Sequence, residues 1–457
     1  MLDLMKKGIE AGEARGAEYT EVRGEDCILT VIGYSDGHID NLTTVMQHGV
    51  ACRVLYDGKW GFACGKAQDV QSSTEKACSL ARTASRGRNK IVLAEIDPAK
   101  DDIKKQYRMP PHHVSLEEKV SRLKKLTTLI RMYDERIKAT SLAYTDSHGY
   151  KYLLTNEGTE ITQEVGHVFT QCWVTAKENN RLTAAKDQRG STQQGYEYFE
   201  KESEEKMAER IGKRVIQQLE GKRVKNGTFP CVLGPRVVGV LAHEALGHLA
   251  EADLTVHSSF KGKLGEKIAS DNVTMVDAPL EKGFGTTSYD DEGVYMQKVT
   301  IINNGILQGI LTNREYAQRL GMPPSGSARA ENFLVPPLIR MRTTYIEEGD
   351  HTNEELFEGI DFGYYCKDYR GGEAQLNSSF QVGIQEAFEI ENGEIGSPVK
   401  DLAISGMATE TLFSIDAVGS DLEFGSSYCG KAQSVPVSMG GPHVRIRKGG
   451  ILLGGVK

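Results

Sequence analysis

Gly234-Pro235-Arg236-Val237-Val238-Gly239-Val240-Leu241-Ala242-His243-Glu244-Ala245-Leu246-Gly247-His248-Leu249-Ala250-Glu251-Ala252-Asp253 is the stretch on which the reading of this chain turns. Pro235 sits just inside the start of a helix, where its missing N–H would have had no partner in any case. Val237, Val238, Leu241, Leu246 and Leu249 make that helix apolar enough to be buried, yet it carries two histidines and three carboxylates. Ionisable groups in apolar surroundings are expensive unless paired or coordinated. Metal ligation by the histidines would account for them. The zinc-peptidase helix places its histidines at i and i+4, on one face. Here His243 and His248 are i and i+5, about 140° apart on a regular helix. A π-bulge absorbs one extra residue per turn and would bring them together, and Gly247 is placed to permit it. The competing reading is a straight core helix in which Glu244, His248 and Glu251 share a face through hydrogen bonds.

A peptidase zinc takes three protein ligands and one water. Glu251, Asp253, His257 or a distant cysteine could be the third, and spacing does not choose among them. Cys64 and Cys429 each open the same Cys-Gly-Lys-Ala-Gln segment, where lysine favours the thiolate that metals bind. In the mechanism this pattern suggests, Glu244 would be the general base. Glu251 or Asp253 would accept the outer N–H of a ligand histidine.

Outward from the helix, Phe229–Leu233 reads as a strand, and the sequence beyond is rich in glycine and short strands. Asn304-Gly305 and Asn392-Gly393 are hairpin turns between apolar runs. Arg340 and Arg342 alternate as solvated strand residues, and Asp290-Asp291-Glu292 reads as an acidic turn. Upstream, Ser115-Leu116-Glu117-Glu118 caps an amphipathic helix. Strands follow from Thr140 to Thr175, with turns at Ser147-His148-Gly149 and Asn156-Glu157-Gly158. A charged helix, Glu200 to Leu219, closes that block. The first hundred residues begin with a helix and continue as an antiparallel meander turned by Asp36-Gly37 and Asp57-Gly58. A helix from Ser72 to Ser85 then presents Ala77, Leu80 and Ala81 on one face. The expected architecture is α+β, in three parts. Residues 1–108 mix helix with antiparallel sheet, 109–225 form a middle α+β region with a long closing helix, and 226–457 form a β-rich domain carrying the metal-binding helix.

A chain of 457 residues exceeds one ordinary core. Its formal net charge of -8 argues against a broad nucleic-acid surface, which needs clustered Lys and Arg. No apolar run approaches the length of a membrane span and no signal peptide is visible at the N-terminus. The eight cysteines form no C-x-x-C pair, which suits free thiols in the cytoplasm.

The helix motif and several later segments together resemble the TldD/PmbA family of metallopeptidases, on the side of its TldD-type catalytic subunit. These are Asp290-Asp291-Glu292-Gly293, Asn303-Asn304-Gly305-Ile306-Leu307, Met322-Pro323-Pro324-Ser325-Gly326, Pro337-Leu338-Ile339-Arg340-Met341, Gly371-Gly372 and Tyr428-Cys429-Gly430-Lys431. A weaker match surrounds Gly49-Val50-Ala51-Cys52-Arg53. Tyr364–Arg370 follows the family only loosely. The resemblance implies Zn2+ held by His243, His248 and Cys429, with Glu244 as catalytic carboxylate, and it selects Cys429 over Cys64. It implies hydrolysis of unfolded or short peptides, and a heterodimer with a paralogous PmbA/TldE-type subunit, or else a homodimer. The alternative functions are a non-catalytic partner of such a peptidase and a regulator of a DNA-topology enzyme.

Overall fold

Two Asp-Gly turns organise the N-terminal sheet. In the computed structural model, which describes residues 1–84 and 90–455, Asp36 and Gly37 have φ of 50° and 96°, and Asp57 and Gly58 have 47° and 70°. These left-handed conformations close two-residue hairpins. They join β1 (Tyr19–Ser35) to β2 (His38–Tyr56) and β2 to β3 (Lys59–Gly65), the expected meander. Helices α1 (Leu2–Ala14) and α2 (Val70–Ala84) cover one face, packing Met5, Ala77 and Cys78 among Val22, Val50 and Val54. The buried stripe of α2 runs through Val70, Thr74, Ala77 and Ala81. Leu80 falls on its rim and is 46% exposed, contrary to expectation. The expected helix end at Ser85 lies outside the described residues.

The same sheet continues into the middle of the chain. β4 (Lys100–Ile103), β5 (Ile137–Thr155), β6 (Glu160–Glu178) and β7 (Arg181–Ser191) complete seven strands in the order β3-β2-β1-β5-β6-β4, with β7 also on β6. The turn expected at Ser147-His148-Gly149 does not exist. All three residues lie within β5, and Gly149 pairs with Cys27 of β1. A Cβ at Gly149 would stand 2.1 Å from the Asp26 carbonyl oxygen, so the glycine answers a close strand approach rather than a turn. Gly149→Ala should therefore cost about 1–3 kcal/mol through overpacking. A thermal melt reads it, and an unchanged midpoint would contradict the account.

Helix α3 (Leu116–Tyr133) starts where Ser115 Oγ accepts the Glu118 N–H, and it buries Leu123, Leu126 and Ile130. The expected helix from Glu200 is two pieces, α4 (Tyr198–Lys201) and α5 (Glu204–Glu220). Ser203 interrupts it by capping α5 through the Lys206 N–H. Met207, Ile211 and Val215 of α5 join the α3 residues in one core against the sheet.

The last part is β-rich, as expected. Asn304-Gly305 (φ 45° and 82°) and Asn392-Gly393 (51° and 81°) close hairpins. After β8 (Lys222–Arg223) and β9 (Cys231–Leu233), Pro235 opens α6 (Pro235–Val240). This helix lies between two sheets. It touches Phe362–Ala374 of the nine-stranded sheet and Gln433–Gly441 of the six-stranded one. Such a position explains why its sequence is apolar on every side. Among the described residues, no helix is long and apolar enough to cross a membrane.

Candidate metal centre

Regular helix ends at Val240. Leu241–Gly247 continue as a π-helix and His248–Ala250 as a 3₁₀ turn, so the straight core helix is not what forms. The wider turn carries His248 round beside His243, with ring centroids 5.1 Å apart. Gly247 allows this because the helix presses on Met341, whose Sδ lies 2.1 Å from where a Cβ would stand. Cys429 arrives from the strand Glu423–Lys431. The ligand atoms of His243, His248 and Cys429 all lie within 4.8 Å of one another. His257 and Cys64 are both exposed on the surface, and neither joins this group.

The electrostatics suit a cation. His243 is fully buried, and neither of its ring nitrogens has a hydrogen-bond partner among the described residues. Such orphaned atoms cost free energy unless something ligates them. Burial would raise the Cys429 thiol, but His243 and His248 beside it hold its pKa down at about 4. Burial would lower His248, but Glu251 and Cys429 push it up to about 10. The pair is an imidazolium facing a thiolate 3.4 Å away, Nε2 to Sγ. Two imidazoles and a thiolate are a donor set that zinc accepts.

Behind the ligands stands a chain of supports. His248 Nδ1 meets Glu251 Oε2 at 2.8 Å, which orients the ring. Glu251 is wholly buried. Burial would raise its carboxyl, but His248 and then Lys431 hold it below the usual range. Lys431 Nζ donates to Glu251 Oε2 at 3.1 Å, Asp253 Oδ1 at 2.8 Å and the Ile339 carbonyl at 3.0 Å. Asp253 thus holds Lys431, while Glu251 contacts the histidine. Glu244 Oε2 lies 3.8 Å from His248 Nε2, with its side chain 29% exposed. It is the acidic group on this helix turn that solvent or a substrate can reach.

Three supports escaped the sequence. Arg340 and Arg342, expected on a solvated strand face, are both fully buried. Arg340 Nη2 donates to the Cys429 carbonyl at 2.6 Å and Nη1 to the Gln433 carbonyl at 2.7 Å, clamping the hairpin that carries the thiolate. Arg342 pairs with buried Asp277. Lys431 was visible only as part of the Cys-Gly-Lys segment. Their signal was two arginines inside the apolar run Pro337–Met341, which suggests burial as readily as alternation. The acidic turn is also internal. Asp290 accepts backbone N–H groups of Glu292, Val294 and Ala328, and Glu292 pairs with Arg53.

Comparison with known proteins covers nearly the whole chain. Residues 20–85, 110–219 and 226–451 match the family models for PmbA/TldA metallopeptidase domain 1, central domain and C-terminal domain. The chain is 35% identical to a metalloprotease of Methanothermobacter thermautotrophicus, over 94% of each chain. It is 34% identical to a zinc metalloprotease TldD homolog of Saccharolobus solfataricus, covering 97% of this chain and 98% of the relative. In fold it is similar to TldE from Thermococcus kodakarensis. The TM-score is 0.80 at 21% identity, over 99% of this chain and all of the other.

Proposed function

Because the chain belongs to the PmbA/TldD metallopeptidase family, we propose that it is a zinc-dependent peptidase acting on unfolded or short peptides, with His243, His248 and Cys429 as ligands. The observation that carries this is the meeting of those three side chains at a π-distorted helix beside an accessible carboxylate. Zinc bound there supplies Lewis acidity, which acidifies water and polarises a carbonyl. Glu244 takes the proton of the attacking water and returns it to the departing amine. Glu251 holds the His248 ring, Lys431 holds Glu251, and Arg340 fixes the main chain at Cys429.

The Cys429 strand is the last in the six-stranded sheet. A peptide laid along that edge would bind through main-chain hydrogen bonds, tolerant of sequence but closed to folded proteins. The eight free cysteines agree with a cytoplasmic setting. Pairing with a paralogous PmbA/TldE-type subunit would cover the apolar residues Ile39, Leu42, Val45 and Met46 exposed on one hairpin, as a homodimer also would.

Zinc-loaded chain, alone and with the paralogous subunit, should cleave a denatured protein and leave its folded form intact. A chelator should abolish cleavage and added zinc restore it. Equal cleavage of folded and unfolded forms, or full activity in chelator, would contradict the proposal.

A further inference from the structure

The strand Glu423–Lys431 has two faces and an open edge. Gln188 Nε2 donates to the Ser426 carbonyl at 2.8 Å from the side opposite the paired strand Gln433–Gly441. Antiparallel alternation then turns the main-chain groups of Tyr428 and Gly430 the same way, towards an incoming strand. Side chains alternate too. Cys429 points to the histidines, and Tyr428 points to the opposite face. There it lines a cavity of about 560 Å³ between the two halves of the chain.

One wall of this cavity is aromatic. The rings of Phe169, Phe284 and Tyr428 lie 5.1 to 5.6 Å apart. Opposite is the face of the N-terminal sheet, where exposed Ala143 reaches the cavity. Charges at the far end satisfy one another, since Lys151 Nζ lies 3.3 Å from Glu25 and 3.7 Å from Asp291.

We propose that this cavity is a specificity pocket for an aromatic side chain of a peptide bound as an added strand along Glu423–Lys431. The inference rests on the peptidase reading and deepens it. An added strand keeps the two-residue period of its neighbour. The peptide residue beside Tyr428 therefore sends its side chain to the cavity face, while the residues on either side face the metal ligands. At that face, the edges and faces of three rings offer the offset and T-shaped contacts that aromatic side chains prefer. The mutually paired charges leave no ion seeking a partner, so recognition falls to the rings.

The test uses full-length zinc-loaded chain carrying Glu244→Gln, so that binding is read without turnover. Fluorescent octapeptides of Ala and Ser carry a single Phe walked through every position. Phe at one position, or at two positions of the same parity, should tighten binding by about tenfold or more, from side-chain burial plus ring contacts. Ala143→Trp fills the cavity from the sheet side without removing a contact and should erase that preference, as should Phe169→Ala. A Phe that has no effect at any position, an advantage that survives both substitutions, or no detectable binding of any peptide would overturn the pocket. Cleavage by the chain with Glu244 intact is scored separately. Its absence would sink the peptidase reading, while the Phe preference still decides the pocket.

Discussion

Glu244→Gln is expected to lower peptide cleavage by about 10²–10⁴-fold while zinc content stays at that of the unaltered chain. The amide keeps the size and polarity of the carboxylate but cannot accept a proton. The loss should appear in kcat, because Glu244 is not among the three ligand side chains and contributes through proton transfer. Its position supports this division of labour. His243 is sealed in the core and Glu251 is committed to His248 and Lys431, whereas Glu244 is partly exposed within 3.8 Å of His248. Steady-state kinetics with metal analysis on the same preparation check it. Full activity with zinc retained would remove Glu244 from the mechanism.

Asp277→Ala should be the most damaging substitution outside the metal centre, destabilising the C-terminal part by about 3–5 kcal/mol. Asp277 and Arg342 are both 0% exposed and paired at 2.9 Å. The carboxylate also accepts the Arg342 N–H at 2.9 Å and the Thr344 hydroxyl at 3.0 Å. Removing it strands a buried guanidinium beside Arg329, which is already depressed to about 10, first by burial and then by Arg340 and Arg342. Replacing both partners, Asp277→Ala with Arg342→Met, should recover part of the loss, since the stranded charge is the main cost. Urea unfolding reads both variants. An unchanged midpoint for the single variant would show that the pair carries no stability.

The features legible in the sequence were those whose cause is local. Asp36-Gly37 and Asn304-Gly305 announce hairpins because left-handed φ is a property of the turn itself. The mismatch between a five-residue histidine spacing and a regular helix required a distortion, and the structure has a π-helix there. What stayed hidden depends on distant partners. Gly149 resembles a turn residue until Asp26 of another strand is laid against it. Arg340 reads as solvated because the Cys429 and Gln433 carbonyls it binds lie about ninety residues further on. Asp253 and Glu251 are two residues apart and look interchangeable. Only the arrival of Lys431 separates the one that holds lysine from the one that contacts His248. The bringing of Cys429 to the histidines is likewise a product of sheet packing, which no spacing within the helix encodes.

The most direct measurement is the metal content of the purified full-length chain by elemental analysis, beside His248→Ala and Cys429→Ala prepared identically. About one zinc per chain in the unaltered protein, lost in both variants while they remain folded by circular dichroism, is the predicted result. No metal in the unaltered chain after zinc is supplied, or full zinc retained by both variants, would contradict the account.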